Sequence, residues 1–376
     1  MVERKFDNEI DDAQGTVVKP VEPEKFDIDR YADYETSLLE RNSKFWESRS
    51  GIAVYRRFRV PEVFSYGCRD MKLSLALQLG ALAESMNYRT DIPNFLEPWY
   101  GIGTIASAFG VRYKWPERQA PTIRAPFKSV AEVLERDVTP VEQTAIGRHT
   151  LNMIEYFLDK TRGKIPVSLT DTQSAMNTAS FIVETNNFLM SFYDDPEGLK
   201  KLLGVINRLL VDFTKEQMAL IGDALVQPGH GFASSRKFSG LGMSDDVMTM
   251  LSTEQYRQFE MPFMSQTGNT FGGAAFHSCG NYSTKIHAVK EIPNLVMVDG
   301  AFSPETDPDP NPTEPFTEHL AGTGIVLNAR IVGSADVVIE EAERLWRPGM
   351  KLIVVTYCSL NEQQCVYKKI HELAGT

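Results

Sequence analysis

Cysteine is scarce in this chain of 376 residues: Cys68, Cys279, Cys358 and Cys365 are all there is. Four is too few for a disulfide scaffold, which predicts reduced thiols and a cytoplasmic protein. Long apolar runs are missing as well. None approaches the roughly 20 residues that a membrane helix needs, so no membrane partner is expected. The opening residues Met1 to Asp7 are charged and lack the apolar core of a secretory signal. Positive charge is in deficit, with 39 Lys and Arg against 50 Asp and Glu and a net charge of −11. Sequence-independent binding to a phosphate backbone or an anionic bilayer needs a basic surface, so neither partner class is expected. No glycine-rich phosphate turn follows the first strand, which argues against a dinucleotide-binding domain.

What is present suits a soluble globular chain, with 42% apolar and 24% charged residues. The first 36 residues stand apart, with eleven Asp and Glu against five Lys and Arg. We read 1–50 as an acidic arm followed by a helix over 34–48, and 51–376 as one domain. Helical periodicity marks 71–86, 144–160 and 196–221. Pro196 and Glu197 suit the first turn of the last of these. Ser252-Thr253-Glu254-Gln255 fits a capping box. The segment 227–244 is a Gly- and Ser-rich loop too long for a plain connector.

The C-terminal third is the most legible. Short apolar runs end at His277, at Asp299, near Asn328 and at Tyr357-Cys358, with helical segments between them. A further short run, 166–170, ends at Asp171. Such runs do not alternate because both faces are covered, and strand-helix repetition implies a parallel sheet. An α/β barrel of eight strands, a TIM-type fold, is the leading expectation. A doubly wound open sheet is the alternative.

All C-terminal strand ends of a barrel open on one face, where active sites sit. His277, Cys279, Asp299 and Cys358 can therefore converge. One imidazole, two thiolates and a carboxylate form a donor set suited to Zn2+. Such a thiolate-rich zinc favours activation of a bound thiol for alkyl transfer over hydrolysis. On residue types alone, small buried thiols beside a hydrogen-bonded histidine fit equally well. Asp171 suits a general base or a helix N-cap. Asp299 suits a fourth ligand and catalytic acid or a turn cap. Asp245 and Asp246 suit a substrate- or cofactor-facing pair or a solvated helix start. Asn281 suits a cofactor-side residue that holds the His277 turn. His230, His149 and Tyr100 carry no signal, and Cys365 and Cys68 read as buried thiols.

His277-Ser278-Cys279-Gly280-Asn281, with Cys358 in the last strand, resembles the zinc motif of the cobamide-dependent methyltransferases of the uroporphyrinogen decarboxylase superfamily. Pro166-Val167-Ser168-Leu169-Thr170-Asp171-Thr172-Gln173-Ser174, Ser244-Asp245-Asp246, and Leu251-Ser252-Thr253-Glu254-Gln255-Tyr256 leading to Pro262 are similar to the same superfamily. The resemblance runs from about residue 160 to the C-terminus and implies a β/α barrel. It also implies zinc held by His277, Cys279 and Cys358. The methyl group would be carried on a corrinoid supplied by a partner protein, with a thiol or tetrahydrofolate as acceptor. The Arg-x-x-x-Arg signature of the true decarboxylases is missing. Arg56-Arg57-Phe58-Arg59 lies in a comparable region with different spacing, which favours the methyltransferase branch. The alternatives are a metal-independent carboxy-lyase of porphyrin biosynthesis and a non-catalytic corrinoid-binding barrel.

Overall fold

The computed structural model describes residues 13–375. The first twelve residues of the predicted arm lie outside the described residues. Six strands form one parallel sheet: β1 Gly51–Arg56, β2 Leu241–Ser244, β3 Ala274–His277, β4 Leu295–Ala301, β5 Val326–Ile331 and β6 Lys351–Thr356. Their order is β1-β6-β5-β4-β3-β2. The four C-terminal strands fall where the apolar runs predict them. β1 and β2 were not anticipated. β2 has only four residues, and its Gly242 weakens any strand signal.

Backbone hydrogen bonds carry the circuit from the β1 edge round to the β2 edge. Asp91 N donates to Val54 O (2.8 Å), Leu96 N to Pro166 O (2.9 Å), Val167 N to Ala224 O (2.8 Å) and Gly242 N to Pro228 O (2.9 Å). The fold is an α/β barrel, but its regular strands number six among the described residues. The rest of the ring consists of short extended pieces. Pro93, Pro166 and Pro228 withhold ladder donors there and keep those pieces from lengthening.

Side chains alternate between two layers. Ala53, Tyr55, Ala275, Met297, Val326, Ile353 and Val355 fill the barrel interior. Ile52, Val54, Leu241, Phe276, Val298, Leu327, Leu352 and Val354 belong to the layer under the helices. The period of two means that position along a strand decides which side a residue serves. His277 and Asp299 follow interior Ala275 and Met297 by two residues and so face inward.

The helices obey local rules. Ser252 and Gln255 form the predicted capping box for Thr253–Phe259. Asp195 caps Pro196–Ile221, its side chain accepting from Gly198 N. Ser359 and Glu362 cap the final helix, Leu360–Leu373. Cys365 on that helix is exposed, against the expectation of a buried thiol, whereas Cys68 is buried.

The N-terminal part packs onto the barrel at both ends. Helices Ile28–Arg41 and Ser43–Glu47 replace the single one predicted. Phe45, with Trp46 against it, joins the interior cluster, and Lys351 Nζ donates to Trp46 O (3.1 Å), so these rings plug the barrel bottom. At the other end, Thr16 N donates to Arg59 O (2.7 Å). The strap between them lies so close to the helix Met71–Ser85 that a Cβ at Gly80 would sit 2.1 Å from Lys19 O. Only glycine allows that approach.

Candidate functional site

The strand ends open on a cavity of about 510 Å³. On one wall, Asp246, His277 and Cys279 bring one donor atom each within 4.8 Å of one another. β3 delivers His277, and the turn after it returns Cys279 so that Sγ lies 3.3 Å from His277 Nε2. Cys279 N donates to Asp246 Oδ1 (2.7 Å), which ties the two loops together in the cavity lining.

Asp299 stands behind this group. The N–H of His277 Nδ1 donates to Asp299 Oδ2 (2.6 Å), which fixes the tautomer and presents Nε2. Asp299 also accepts from Asn328 Nδ2 (2.5 Å) and Arg330 Nε (2.9 Å). Its carboxylate is fully buried. Burial alone would raise its pKa, but Arg330 and His277 hold it down to about 2. Its two oxygens accept from these three donors, and Asp299, the fourth ligand that sequence suggested, is not among the groups whose donor atoms meet at the cluster. It orients the His277 imidazole, a role that carboxylates commonly take. For His277, burial opposes protonation, yet Cys279 and Asp299 carry it well above the ordinary imidazole value.

Cys358 corrects a second expectation. It follows Thr356, whose hydroxyl donates outward to Gln363 on the final helix (2.8 Å), and it belongs to the helix-side layer. The inward position is taken by Tyr357, which packs on the interior cluster and whose hydroxyl donates to Gln14 Oε1 (2.8 Å). Burial and the nearby Glu362 charge push the Cys358 thiol up to about 11. Cys358 is not among the groups whose donor atoms meet at the cluster.

Asp171 also lines the cavity. It accepts from Trp99 Nε1 (3.1 Å) and Gln173 Nε2 (2.6 Å), while Ser174 is the cap of the next helix, Ala175–Ile182. The N-cap alternative for Asp171 therefore falls. Asn281 stays outside the cavity lining. Its Oδ1 accepts from Ser283 N (3.1 Å) and Oγ (2.7 Å), and its amide reaches Pro310 O, so it holds the turn and reaches no cofactor-side position. Asp245 is fully buried rather than at a solvated helix start. Burial, aided by the Asp246 charge, raises its pKa, and Glu260 is raised by burial and by Asp245.

Sequence reasoning missed Glu97 and Arg330, found no signal at His230, and noted Arg57 and Arg59 only for their spacing. The N–H of His230 Nδ1 donates to Glu97 Oε2 (2.6 Å), and Nε2 lies 3.5 Å from Asp171 Oδ2. Arg57 pairs with Glu97 at 3.3 Å. Arg57, Arg59 and Arg330 all line the cavity. The signals were faint: a lone histidine in a glycine-rich loop, and three arginines split between two strands distant in sequence.

Asp246, His277 and Cys279 supply oxygen, nitrogen and sulfur donors with room for a fourth ligand, a set that fits Zn2+. A barrel with such a cluster at its open face belongs to a known class. Residues 96–355 match the family model described as uroporphyrinogen decarboxylase (URO-D), which covers most of the chain. The chain belongs to the uroporphyrinogen decarboxylase family. Among solved structures, it is similar to a methyltransferase from Methanosarcina mazei, with a TM-score of 0.55 and 13% identity. That match covers 98% of this chain and 100% of the other, and shows a shared fold. No curated protein matches the sequence.

Proposed function

We propose that this chain is a zinc-dependent methyltransferase. It moves a methyl group between a corrinoid, carried by a partner protein, and a thiol or tetrahydrofolate acceptor. The observation that carries the reading is the convergence of Asp246, His277 and Cys279 at the cavity wall. His277 Nε2, Cys279 Sγ and Asp246 Oδ2 would hold the metal. Zinc bound there keeps an acceptor thiol deprotonated and nucleophilic near neutral pH. One thiolate and one carboxylate already neutralise the dication, which suits a nucleophile-holding site better than a strong Lewis acid. Asp299 aims His277, and Arg330 keeps Asp299 ionised. The cavity provides the space in which acceptor and methyl group are aligned. The methyltransferase among its structural neighbours supports the same reading.

A second reading, a metal-independent carboxy-lyase, is favoured by Arg57, Arg59 and Arg330 in the cavity. Two of these guanidiniums are already matched by buried Glu97 and Asp299. The test is metal content of wild type, Cys279→Ala and Cys358→Ala by mass spectrometry, followed by product analysis with methylcobalamin and 2-mercaptoethanol. About one zinc per chain, lost in Cys279→Ala and kept in Cys358→Ala, together with S-methyl product, supports methyl transfer. No zinc after loading under reducing conditions, or decarboxylation that survives chelation, favours the second reading.

A further inference from the structure

The cavity that holds the metal-type cluster carries a second reactive arrangement. His230 faces the same cavity as Cys279 but touches none of the three clustered side chains by hydrogen bond. Its Nδ1 is committed to Glu97 at 2.6 Å. Glu97 is only 6% exposed and paired with Arg57, and it remains an anionic acceptor. Burial alone would favour its neutral form, yet Arg57 and His230 hold it down to about 2. The Phe64 ring lies 5.4 Å from the imidazole and limits its rotation. Nε2 is the ring nitrogen that Glu97 does not hold, on a residue that lines the cavity. Asp171 Oδ2 is 3.5 Å away, beyond the usual hydrogen-bond distance, so a substrate donor can meet Nε2 first. Glu97, Asp171 and, behind Glu97, Arg57 are the charged groups facing the ring; Arg59 and Arg330 complete the cationic lining.

We propose that His230, oriented by Glu97, is the general base that takes the proton of the methyl acceptor. The inference rests on the methyl-transfer reading above and adds the path of the proton. A carboxylate that fixes one nitrogen while the other meets the substrate is the arrangement by which histidine bases are held productive. The acceptor R–SH gives its proton to Nε2. The sulfur lone pair forms the S–CH3 bond as the Co–CH3 bond of the methylcobamide donor breaks. The bonding pair stays on cobalt, which passes from Co(III) to Co(I). The imidazolium is matched by Glu97 and Asp171 until it loses its proton to water at the cavity mouth. In the reverse direction the same residue returns the proton.

The experiment is calorimetric titration of the zinc-loaded protein with 2-mercaptoethanol in two buffers of different ionisation enthalpy. It counts protons released per thiol bound. Wild type is expected to release close to none and His230→Gln close to one. Equal release by both overturns the role. In turnover with methylcobalamin, His230→Gln should lower kcat/KM for 2-mercaptoethanol by about 10²–10⁴-fold, the usual range for a lost base. With 2,2,2-trifluoroethanethiol, an acidic thiol, the defect should shrink below about tenfold, because little base is needed. An equal loss with both thiols marks a structural effect and overturns the proposal. A wild type that holds zinc but binds no thiol defeats methyl transfer to a thiol, and this inference with it.

Discussion

Replacing Asp299 by asparagine keeps the shape of the side chain and removes its charge. In the native protein that carboxylate accepts from His277, Asn328 and Arg330, and it is fully buried. Arg330 is itself 6% exposed, so the substitution strands a buried guanidinium without its counter-charge. Breaking a buried pair from one side costs about 3–5 kcal/mol. The asparagine also cannot accept from His277 and Arg330 with two anionic oxygens, so the imidazole loses the partner that fixes its tautomer. Loss of such a partner weakens metal binding about 10–100-fold. Urea unfolding should report the first effect, and zinc titration against a competing chelator the second. The double variant Asp299→Asn with Arg330→Met removes both charges and should recover most of the stability but none of the zinc affinity. An Asp299→Asn protein within about 1 kcal/mol of wild type, with unchanged zinc affinity, would refute the assignment of Asp299 as the buried orienter of His277.

Two further outcomes follow from burial and charge. Glu97 is held down to about 2 in the folded protein against an ordinary 4.5, so its stabilising contribution is full above about pH 4.5 and lost as pH falls through about 2. The gap in urea midpoint between wild type and Glu97→Gln should be wide at pH 6 and narrower at pH 3; a constant gap counts against the Arg57–Glu97–His230 network. Asp245 shifts the other way. Its raised pKa means the folded state holds the proton longer than the unfolded one, so this residue costs stability as pH rises above the ordinary carboxylate range. Asp245→Asn should therefore gain on wild type between pH 5.5 and pH 8 in the same assay, and a gain that shrinks with pH would contradict the buried neutral carboxyl.

The chain's composition and pattern carried the fold class. Unbroken apolar runs such as 295–298 and 352–356 read as strands covered on both faces, because nothing in them asks for water. The capping box at Ser252 and the first turn at Pro196 and Glu197 marked helix starts through preferences confined to one turn, so local sequence sufficed. His277 and Cys279 were legible for the same reason: both follow directly from the end of one strand. β1 and β2 were not legible, because a short strand rich in glycine or ended by arginine gains its stability from neighbours far along the chain.

The rest of the site was a matter of tertiary geometry. Asp246 follows β2 by two residues and Asp299 lies within β4, and residue type cannot tell the two acids apart. Packing gave Asp299 three buried donors, and left Asp246 bonded to Cys279 N in the cavity lining. Cys358 matched a motif, but a strand's side chains alternate, and the phase of β6 turned it toward the helices and Tyr357 toward the barrel. His230, Glu97 and Asp171 are separated by 133 and 59 positions, and no local pattern links them. Sequence sets which groups are available and which lie at strand ends. Which of them face one another, and which keep a free lone pair, depends on the parity of the strands and on partners supplied by the rest of the barrel.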